Sequence, residues 1–220
     1  MKLWLAATLL SLLAGCASES TSKYGKGVDL LRMAMHRNHV EAPTAAQVAS
    51  KPYYQLQAIS PDGQAIMILG GVEGDVQGWY GHDGDAVFLD RGQVVRTIGL
   101  RANIDAARWA SNNPFEAGLQ TLQSELTTSR VVDWSPGYRY GVVEEVRLVP
   151  VRMESVDILG TSHQLRRVDE FVRAVDAHFE AKNTYWVDPA DGFVWRSHQV
   201  IAPGMPLDLI QLRPYKESHP

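Results

Sequence analysis

The pattern of apolar and polar positions along the chain changes at residue 53. Before it, apolar residues recur at helical spacing, which predicts a helix over about 28–37 and a capped helix over 45–49 that ends before Pro52. After it, apolar and polar residues alternate in short runs separated by turn signals about every ten residues. Alternation places successive side chains on opposite faces of a strand, so this pattern predicts an antiparallel meander.

Turn signals set the positions of the expected hairpins in the first half of the sheet. Asp-Gly and related dipeptides at 60–63, 82–85 and 90–93 connect alternating runs, as tight hairpins require. In the second half, strands are expected over 130–134, 140–151, 155–159, 183–187, 193–201 and 207–212.

Two stretches do not follow the alternating pattern. Residues 101–130 contain Leu119, Leu122 and Leu126 at spacings of three and four, which predicts a loop and a short helix. Residues 164–180 fit a helical stripe and also two strands, and periodicity leaves both open. The expected fold is mainly β, an antiparallel meander sheet curved into a sandwich or open barrel, with short N-terminal and central helices. Residues 28–220 would form this single domain.

The first sixteen residues carry a separate signal. A lysine is followed by 13 apolar or small residues and then by Cys16, a run too short to span a bilayer as a helix of about 20 residues. The ending 13–16 resembles the lipobox of bacterial lipoproteins. That resemblance implies cleavage of a signal peptide over 1–15 and acylation of Cys16. The small and polar residues that follow predict a flexible tether over 16–27. Because Ala17 follows the cysteine instead of Asp, it also implies the periplasmic face of the outer membrane.

Composition narrows the function classes. The chain has 220 residues, is 45% hydrophobic and carries a net charge of −4. The apolar content excludes a disordered chain, and the small negative charge excludes an electrostatic nucleic-acid binder. With a single cysteine, the chain can form neither an internal disulfide nor a cysteine-based zinc site.

Motifs for catalysis, metal ions or cofactors do not emerge from the sequence. His36 and His39 have a spacing that suits one helix face, but no further ligand completes a metal site. The aspartates that could form a pair of catalytic carboxylates stand near glycines at expected turns, where hairpins need them: Asp62, Asp83, Asp85, Asp90, Asp188 and Asp191. Glu144 and Glu145 are neighbours on an expected strand, so at most one of them faces the core. We therefore predict no catalytic residue, no metal and no cofactor.

Aromatic residues supply the candidate contact sites. Neighbours on a strand face opposite sides, so each aromatic pair offers one ring to the core and one to solvent, where it can stack on a sugar or a partner protein. Core packing is the alternative for every one of them, and the two tryptophans beside the 188–192 turn can pair across that hairpin. The candidate glycan or partner contacts are Trp79, Tyr80, Arg96, Tyr185, Trp186 and Trp195.

Two segments carry a family resemblance. The first is Gly-Trp-Tyr-Gly-His-Asp-Gly at 78–84 with the run over 90–100, and the second is Asn-Thr-Tyr-Trp-Val-Asp at 183–188 with the run over 192–199. Together with the lipobox, they make the chain resemble the group 4 capsule polysaccharide lipoprotein family. The resemblance implies a mostly antiparallel β fold, which favours strands over 164–180, and it implies no known enzymatic activity.

The same resemblance implies partners and a leading hypothesis. Such lipoproteins are encoded with capsule or exopolysaccharide export components, which include a periplasmic partner and an outer-membrane export barrel. We therefore expect a non-enzymatic accessory lipoprotein of polysaccharide export, attached to the outer membrane through acyl chains on Cys16 and able to contact polysaccharide. Two alternatives stay open: a periplasmic carrier of lipid or glycan-lipid, and a polysaccharide-modifying hydrolase or lyase.

Overall fold

A computed structural model describes residues 42–216 of the chain. The expected signal peptide, Cys16, the tether and the helix over 28–37 lie outside these residues. The capped helix is confirmed as α1 (Ala45–Ala49), where the Thr44 side chain accepts a hydrogen bond from the Gln47 backbone N–H and the Gln47 side chain binds back to Thr44. None of the described helices is long and apolar enough to cross a membrane.

The rest of the described chain forms one antiparallel sheet of twelve strands. The strands are β1 (Gln55–Ser60), β2 (Gly63–Glu73), β3 (Val76–Tyr80), β4 (Ala86–Asp90), β5 (Gln93–Ile98), β6 (Asn103–Trp109), β7 (Leu126–Ser135), β8 (Arg139–Ile158), β9 (Thr161–Ala174), β10 (Phe179–Val187), β11 (Val194–Ala202) and β12 (Met205–Arg213). The expectation of a mainly β fold built on an antiparallel meander is confirmed.

The sheet curves until it almost closes on itself. Every strand pairs with its neighbour in the chain except β5 and β6, and β12 pairs with β1. Between the edge strands β5 and β6, hydrogen bonds of side chains take the place of a backbone ladder. Ile104 N–H donates to Thr97 Oγ1 at 3.1 Å, and Trp109 Nε1 donates to Gln93 Oε1 at 3.0 Å. The result is a nearly closed barrel whose two strand edges are bridged by polar side chains.

The prediction for 101–130 was wrong in part. Strand β6 lies within this stretch, strand β7 already begins at Leu126, and the helical part is limited to the 3-10 turn Leu119–Thr121. A register shift between Ile104 and Ala106 explains why β6 was missed. The extra residue of a bulge moves the alternation by one position, so the apolar pattern of β6 does not have a constant period of two.

The ambiguous stretch 164–180 consists of strands, as the family resemblance favoured. Strand β9 ends at Ala174, the 3-10 turn Val175–Ala177 follows, and β10 begins at Phe179. On β9, Val168 and Val172 are buried on the inner face with Glu170 between them. A charged residue at an inner position interrupts the apolar alternation, and the remaining apolar residues then fit a helical stripe.

The hairpin of β8 and β9 extends beyond the residues of β9 that pair with β10. The ladder shifts register between Pro150 and Met153, and beyond this point the two strands continue to the turn at 159–160. We call residues 154–165 the hairpin tip. Its buried residues Val156, Ile158 and Leu165 pack against Trp186, Trp195 and Ile210. The two strands expected over 140–151 and 155–159 are thus one strand.

The barrel interior consists of two apolar clusters with a polar layer between them. On β8, Glu144 lies between Val142 of one cluster and Val146 of the other. The first cluster contains Leu56, Met67, Trp79, Val132, Trp134 and Leu207 among others. The second contains Phe115, Leu119, Val146, Leu148, Val168 and Tyr185. Because Phe115 and Leu119 come from the β6–β7 connection, this segment, 110–125, covers one end of the barrel, which we call the plugged end.

Candidate functional site

The polar layer of the barrel is built around one arginine and two glutamates. Arg130 on β7 donates from Nε to Glu144 Oε2 at 2.6 Å and from Nη1 to Glu170 Oε1 at 2.8 Å. The three side chains are 8%, 3% and 0% exposed. Cross-strand pairing of Arg130 with Glu144 in the β7–β8 ladder brings the first pair together. We call these three residues the charged cluster.

Neutral side chains complete the hydrogen bonding of the charged cluster. Asn183 Nδ2 and the Tyr185 hydroxyl both lie within hydrogen-bond distance of Glu170 Oε2, at 2.5 and 3.1 Å. Gln199 extends the network by donating to the carbonyl of Gly92 and accepting from Val94 N–H, which ties β11 to β5. The layer thus joins strands from both sides of the barrel, and its main effect is to hold them in register.

One guanidinium faces two carboxylates, so the cluster has a formal charge of −1 inside the barrel. Burial raises the pKa of Glu144 above its ordinary value, and the charge of Glu170 adds to this, although Arg130 acts in the opposite direction. Burial also raises the pKa of the Tyr185 hydroxyl, and Glu170 raises it further. Burial alone would lower the pKa of Arg130, but the charges of Glu170 and Glu144 outweigh it, so that this pKa is raised.

The raised pKa of Glu144 predicts an unusual pH dependence. Because this carboxyl binds its proton more tightly in the folded protein, its contribution to stability is full below its ordinary pKa of 4.5 and is lost as the pH rises through the raised value. Glu144→Gln imitates the neutral form. We expect the stability of this variant relative to wild type to increase as the pH rises above about 4.5, and the increase to level off once the pH has passed the raised pKa of Glu144.

Urea denaturation at a series of pH values measures this difference. Glu145→Gln is the matched control, because Glu145 is the next residue on the same strand and is exposed. If the two variants differ from wild type by the same pH-independent amounts, the assignment of the raised pKa to Glu144 is wrong.

A pocket of about 290 Å³ opens at the plugged end. Alternate connections of a meander lie at the same barrel end, so the turns after β2, β4, β6 and β10 and the chain after β12 meet here. Among the residues that line the pocket are Asp75, Arg91, Phe115, Glu116, Gln120, Asp191, Phe193, Gln211, Tyr215 and Lys216.

The basic groups of the pocket are already paired with carboxylates. Arg91 Nη2 lies 2.6 Å from Asp75 Oδ2, and Lys216 Nζ lies 2.7 Å from Asp191 Oδ2. Lys216 also lies over the Phe193 ring, 4.8 Å from its centroid. Burial alone would raise the pKa of Asp191, but the hydrogen bonds from Lys216 and from the Phe193 backbone N–H outweigh it and lower the pKa.

Two glutamines of the pocket carry buried side-chain oxygens without a partner among the described residues. They are Gln120 on the 3-10 turn and Gln211 on β12. Arg166 fixes the turn by donating to the backbone carbonyls of Gln120 and Leu122, at 2.6 and 2.5 Å. A Cβ at Gly192 would overlap Gln120 Oε1, so glycine at this position leaves the space that the amide occupies.

The six candidate contact residues fall into three groups. Trp79 and Tyr185 are both 0% exposed and pack inside the barrel. Tyr80, 48% exposed, and Arg96 lie on the outer face, on either side of Phe88: the Tyr80 ring packs edge-on against Phe88, and the Arg96 guanidinium lies over it at 5.3 Å. Arg96 is thus exposed on the outer face.

Trp186 and Trp195 form the third group, which lies under the hairpin tip. Trp186 Nε1 donates to Glu154 Oε2 at 2.8 Å, and the His163 ring lies 4.3 Å from the Trp195 ring. The two tryptophans share one cluster with Val156 and Leu165, so they pack against the tip. No sequence pattern indicates this contact, because it depends on how far the β8–β9 hairpin extends beyond the residues of β9 that pair with β10.

The pocket residues were not among the sequence candidates. They come from separated segments of the chain, and each has an ordinary local explanation as a turn or strand residue. The unusual neighbourhood of Gln120, with glycines at 118 and 192, emerges only when the β6–β7 connection meets the β10–β11 turn. Among the described residues, no three His, Cys, Asp or Glu side chains are arranged to hold a metal ion.

Known proteins share both the sequence and the fold. The chain is 23% identical to the uncharacterized lipoprotein GfcB of Escherichia coli K12 over 205 residues, which cover 92% of this chain and 94% of GfcB. The crystal structure of the hypothetical lipoprotein YmcC from Escherichia coli K12 matches with a TM-score of 0.71 at 22% identity, covering 86% of this chain and 97% of YmcC. At this identity the second match shows the fold alone.

A family model gives the assignment. The model described as group 4 capsule polysaccharide lipoprotein GfcB, YjbF matches residues 28–212, which include all but the last residue of the twelve-stranded sheet. The resemblance of the two sequence segments therefore extends over most of the chain, and this protein belongs to the group 4 capsule polysaccharide lipoprotein family.

Proposed function

We propose that this protein is a non-enzymatic accessory factor in the export or assembly of capsule polysaccharide, anchored through acylated Cys16 at the periplasmic face of the outer membrane. The observation that carries the proposal is the family match over residues 28–212, together with the lipobox-like ending at Cys16. An outer-membrane export barrel and a periplasmic protein are the partners we propose. Three acyl chains would anchor the protein firmly, since each buried methylene contributes about 0.8 kcal/mol.

The described barrel argues against the carrier alternative. Its interior is filled by the two apolar clusters and the polar layer, and the cavities beside Leu89 and beside Arg130 each have a volume of only about 10 Å³. Such a cavity holds about one water molecule, far less than an acyl chain needs. A lipid would therefore have to bind outside the interior of the described barrel. The carrier function, which requires a curved sheet with space for a lipid, is not supported.

The hydrolase or lyase alternative gains no support from the charged cluster. Glycan hydrolysis usually needs two carboxyl groups on either side of an accessible glycosidic bond. Glu144 and Glu170 instead bind the same guanidinium, and both are buried. Their contacts account for them as a structural element, so the accessory function is the one we favour.

Deletion of the gene tests the proposed function. We expect the amount of surface or secreted polysaccharide to fall strongly and to recover when the wild-type gene is supplied. Cys16→Ser should fail to restore it, because the variant lacks the acyl chains and fractionates away from the outer membrane. Polysaccharide is quantified by sugar analysis, and location is measured by membrane fractionation and immunoblotting.

The matched control is Ser18→Ala, which changes a small residue two positions after the cysteine and leaves the lipobox-like ending intact. This variant should behave as wild type in both measurements. Unchanged polysaccharide output in the deletion strain would overturn the accessory function. Outer-membrane retention of Cys16→Ser would overturn the proposed anchor.

A further inference from the structure

The pocket at the plugged end has the position and size of a small ligand site. It opens at the mouth of the barrel, where ligand sites in barrels often occur, and its volume of about 290 Å³ is near the lower end for such sites. The charged cluster lies deeper in the barrel and contributes no residue to the pocket lining. The pocket is therefore a separate feature from the structural polar layer.

Gln211 gives the pocket an unsatisfied polar group. This residue is 4% exposed and lines the pocket, yet its Oε1 accepts no hydrogen bond within the described part of the chain. A buried polar group without a partner costs about 1–3 kcal/mol. Because Gln211 lines the pocket, a ligand donor there supplies the missing hydrogen bond once the amide turns toward it.

Gln120 provides a second such group from a different element. Its Oε1 is also buried and without a partner in the described residues, while Arg166 holds its backbone in place. A side-chain amide can donate and accept at the same time, as a hydroxyl group can. Two amides that line one pocket therefore match a ligand that carries several hydroxyl groups.

The charges of the lining indicate what kind of ligand fits. Asp75, Glu116 and Asp191 contribute three negative charges, and Arg91 and Lys216 contribute two positive ones, so the formal sum is −1. Both cations are bound to carboxylates, so the lining residues within 42–216 leave no free positive group for an anion. Phe193 and Tyr215 add apolar ring surface to the lining, with Lys216 lying over the Phe193 ring.

We propose that this pocket binds one uncharged sugar unit of a glycan, with the amides of Gln120 and Gln211 hydrogen-bonding its hydroxyl groups. The inference rests on the proposed function in one respect, since it takes the glycan to be part of the exported polysaccharide. Carboxylates at the rim accept from further hydroxyls, and a uronic acid is disfavoured by the negative lining.

Saturation-transfer NMR on the full mature lipoprotein tests the proposal. The protein is purified in a detergent without a sugar headgroup, and glucose, galactose, N-acetylglucosamine and glucuronic acid are added separately at about 20 mM, because a site for one sugar unit is expected to bind at millimolar Kd. We expect transfer to at least one uncharged sugar and weaker transfer to glucuronic acid.

Substitutions locate the binding. Gln211→Leu removes the amide at similar volume. It should raise the Kd of the sugar about fivefold to tenfold, the effect of about one lost hydrogen bond. Gln120→Leu, on the less buried turn, should act in the same direction and serves if Gln211→Leu fails to fold. Gln64→Leu is the matched control, because Gln64 also has an unpartnered buried side-chain atom but lies away from the pocket. Thermal unfolding followed by circular dichroism verifies each fold.

The outcomes separate this proposal from the proposed function. No transfer to any uncharged sugar, or binding that both folded glutamine variants leave unchanged, overturns the pocket assignment. Stronger binding of glucuronic acid than of the uncharged sugars also overturns it. If the deletion strain loses polysaccharide but no sugar binds, the pocket assignment fails alone. If sugar binds but the deletion has no effect, the accessory function fails alone.

Discussion

Arg130→Met is expected to lower the free energy of unfolding by about 3–5 kcal/mol. The guanidinium bonds to both Glu144 and Glu170, and the side chains of all three are at most 8% exposed. Removal of the arginine leaves two carboxylates inside the barrel without a countercharge. Such groups are costly because neither water nor an opposite charge stabilises them. Denaturant unfolding of the purified variant at neutral pH measures the loss.

The matched control is Arg108→Met on the neighbouring strand. Arg108 pairs with Asp133 at 2.9 Å, but its side chain is 58% exposed. An exposed pair contributes about 0–1 kcal/mol, so this control should change stability little. If Arg130→Met unfolds within about 1 kcal/mol of wild type, the charged cluster does not stabilise the fold in the way its geometry indicates.

Simultaneous replacement tests the cause of the loss. When Arg130→Met is combined with Glu144→Gln and Glu170→Gln, no uncompensated charge is left in the polar layer. We expect the triple variant to be more stable than Arg130→Met alone, because the cost lies in the unpaired carboxylates and not in the missing arginine packing. A triple variant no more stable than the single one would contradict this explanation.

Turn chemistry is the part of the fold that the sequence predicts best. The hairpins at 60–63, 82–85 and 90–93 form as the Asp-Gly and related dipeptides require, and strands β1 to β5 follow from them. These signals are local, so no tertiary contact is needed to interpret them. The hairpins of β10, β11 and β12 were also predicted in this way.

Local irregularities explain where the strand predictions failed. A bulge in β6 shifts its alternation, and inward-facing Glu170 interrupts that of β9. In both cases the backbone is an ordinary strand, but the apolar pattern that identifies strands is broken. For β9, only the family resemblance selected the correct alternative over the helical stripe.

The polar layer and the pocket depend on contacts between distant segments. The sequence limits Glu144 and Glu145 to one inward residue, but it does not indicate which, nor that Arg130 and Glu170 meet the inward one. Gln120 and Gln211 lie 91 positions apart by their numbers, and the nearly closed sheet and the segment 110–125 bring both into the lining of one pocket. Features of this kind follow from the curvature of the sheet, which a pattern of period two does not encode.

Trp79→Ala is expected to lower the free energy of unfolding by about 3–5 kcal/mol, whereas Tyr80→Ala should cost about 1 kcal/mol. Both are aromatic neighbours on β3 and both were candidate contacts. Trp79 is 0% exposed within the first apolar cluster, so its removal leaves a large cavity. Tyr80 is 48% exposed and packs over Phe88 on the outer face.

Urea denaturation of the two purified variants measures both losses under the same conditions. The comparison separates an aromatic residue that builds the core from one that is free to contact a partner. If Tyr80→Ala is as stable as expected, its effect on polysaccharide output can be interpreted as a surface effect, which Trp79→Ala does not allow. Equal losses for the two variants would contradict the inward position of Trp79 and the outward position of Tyr80 on this strand.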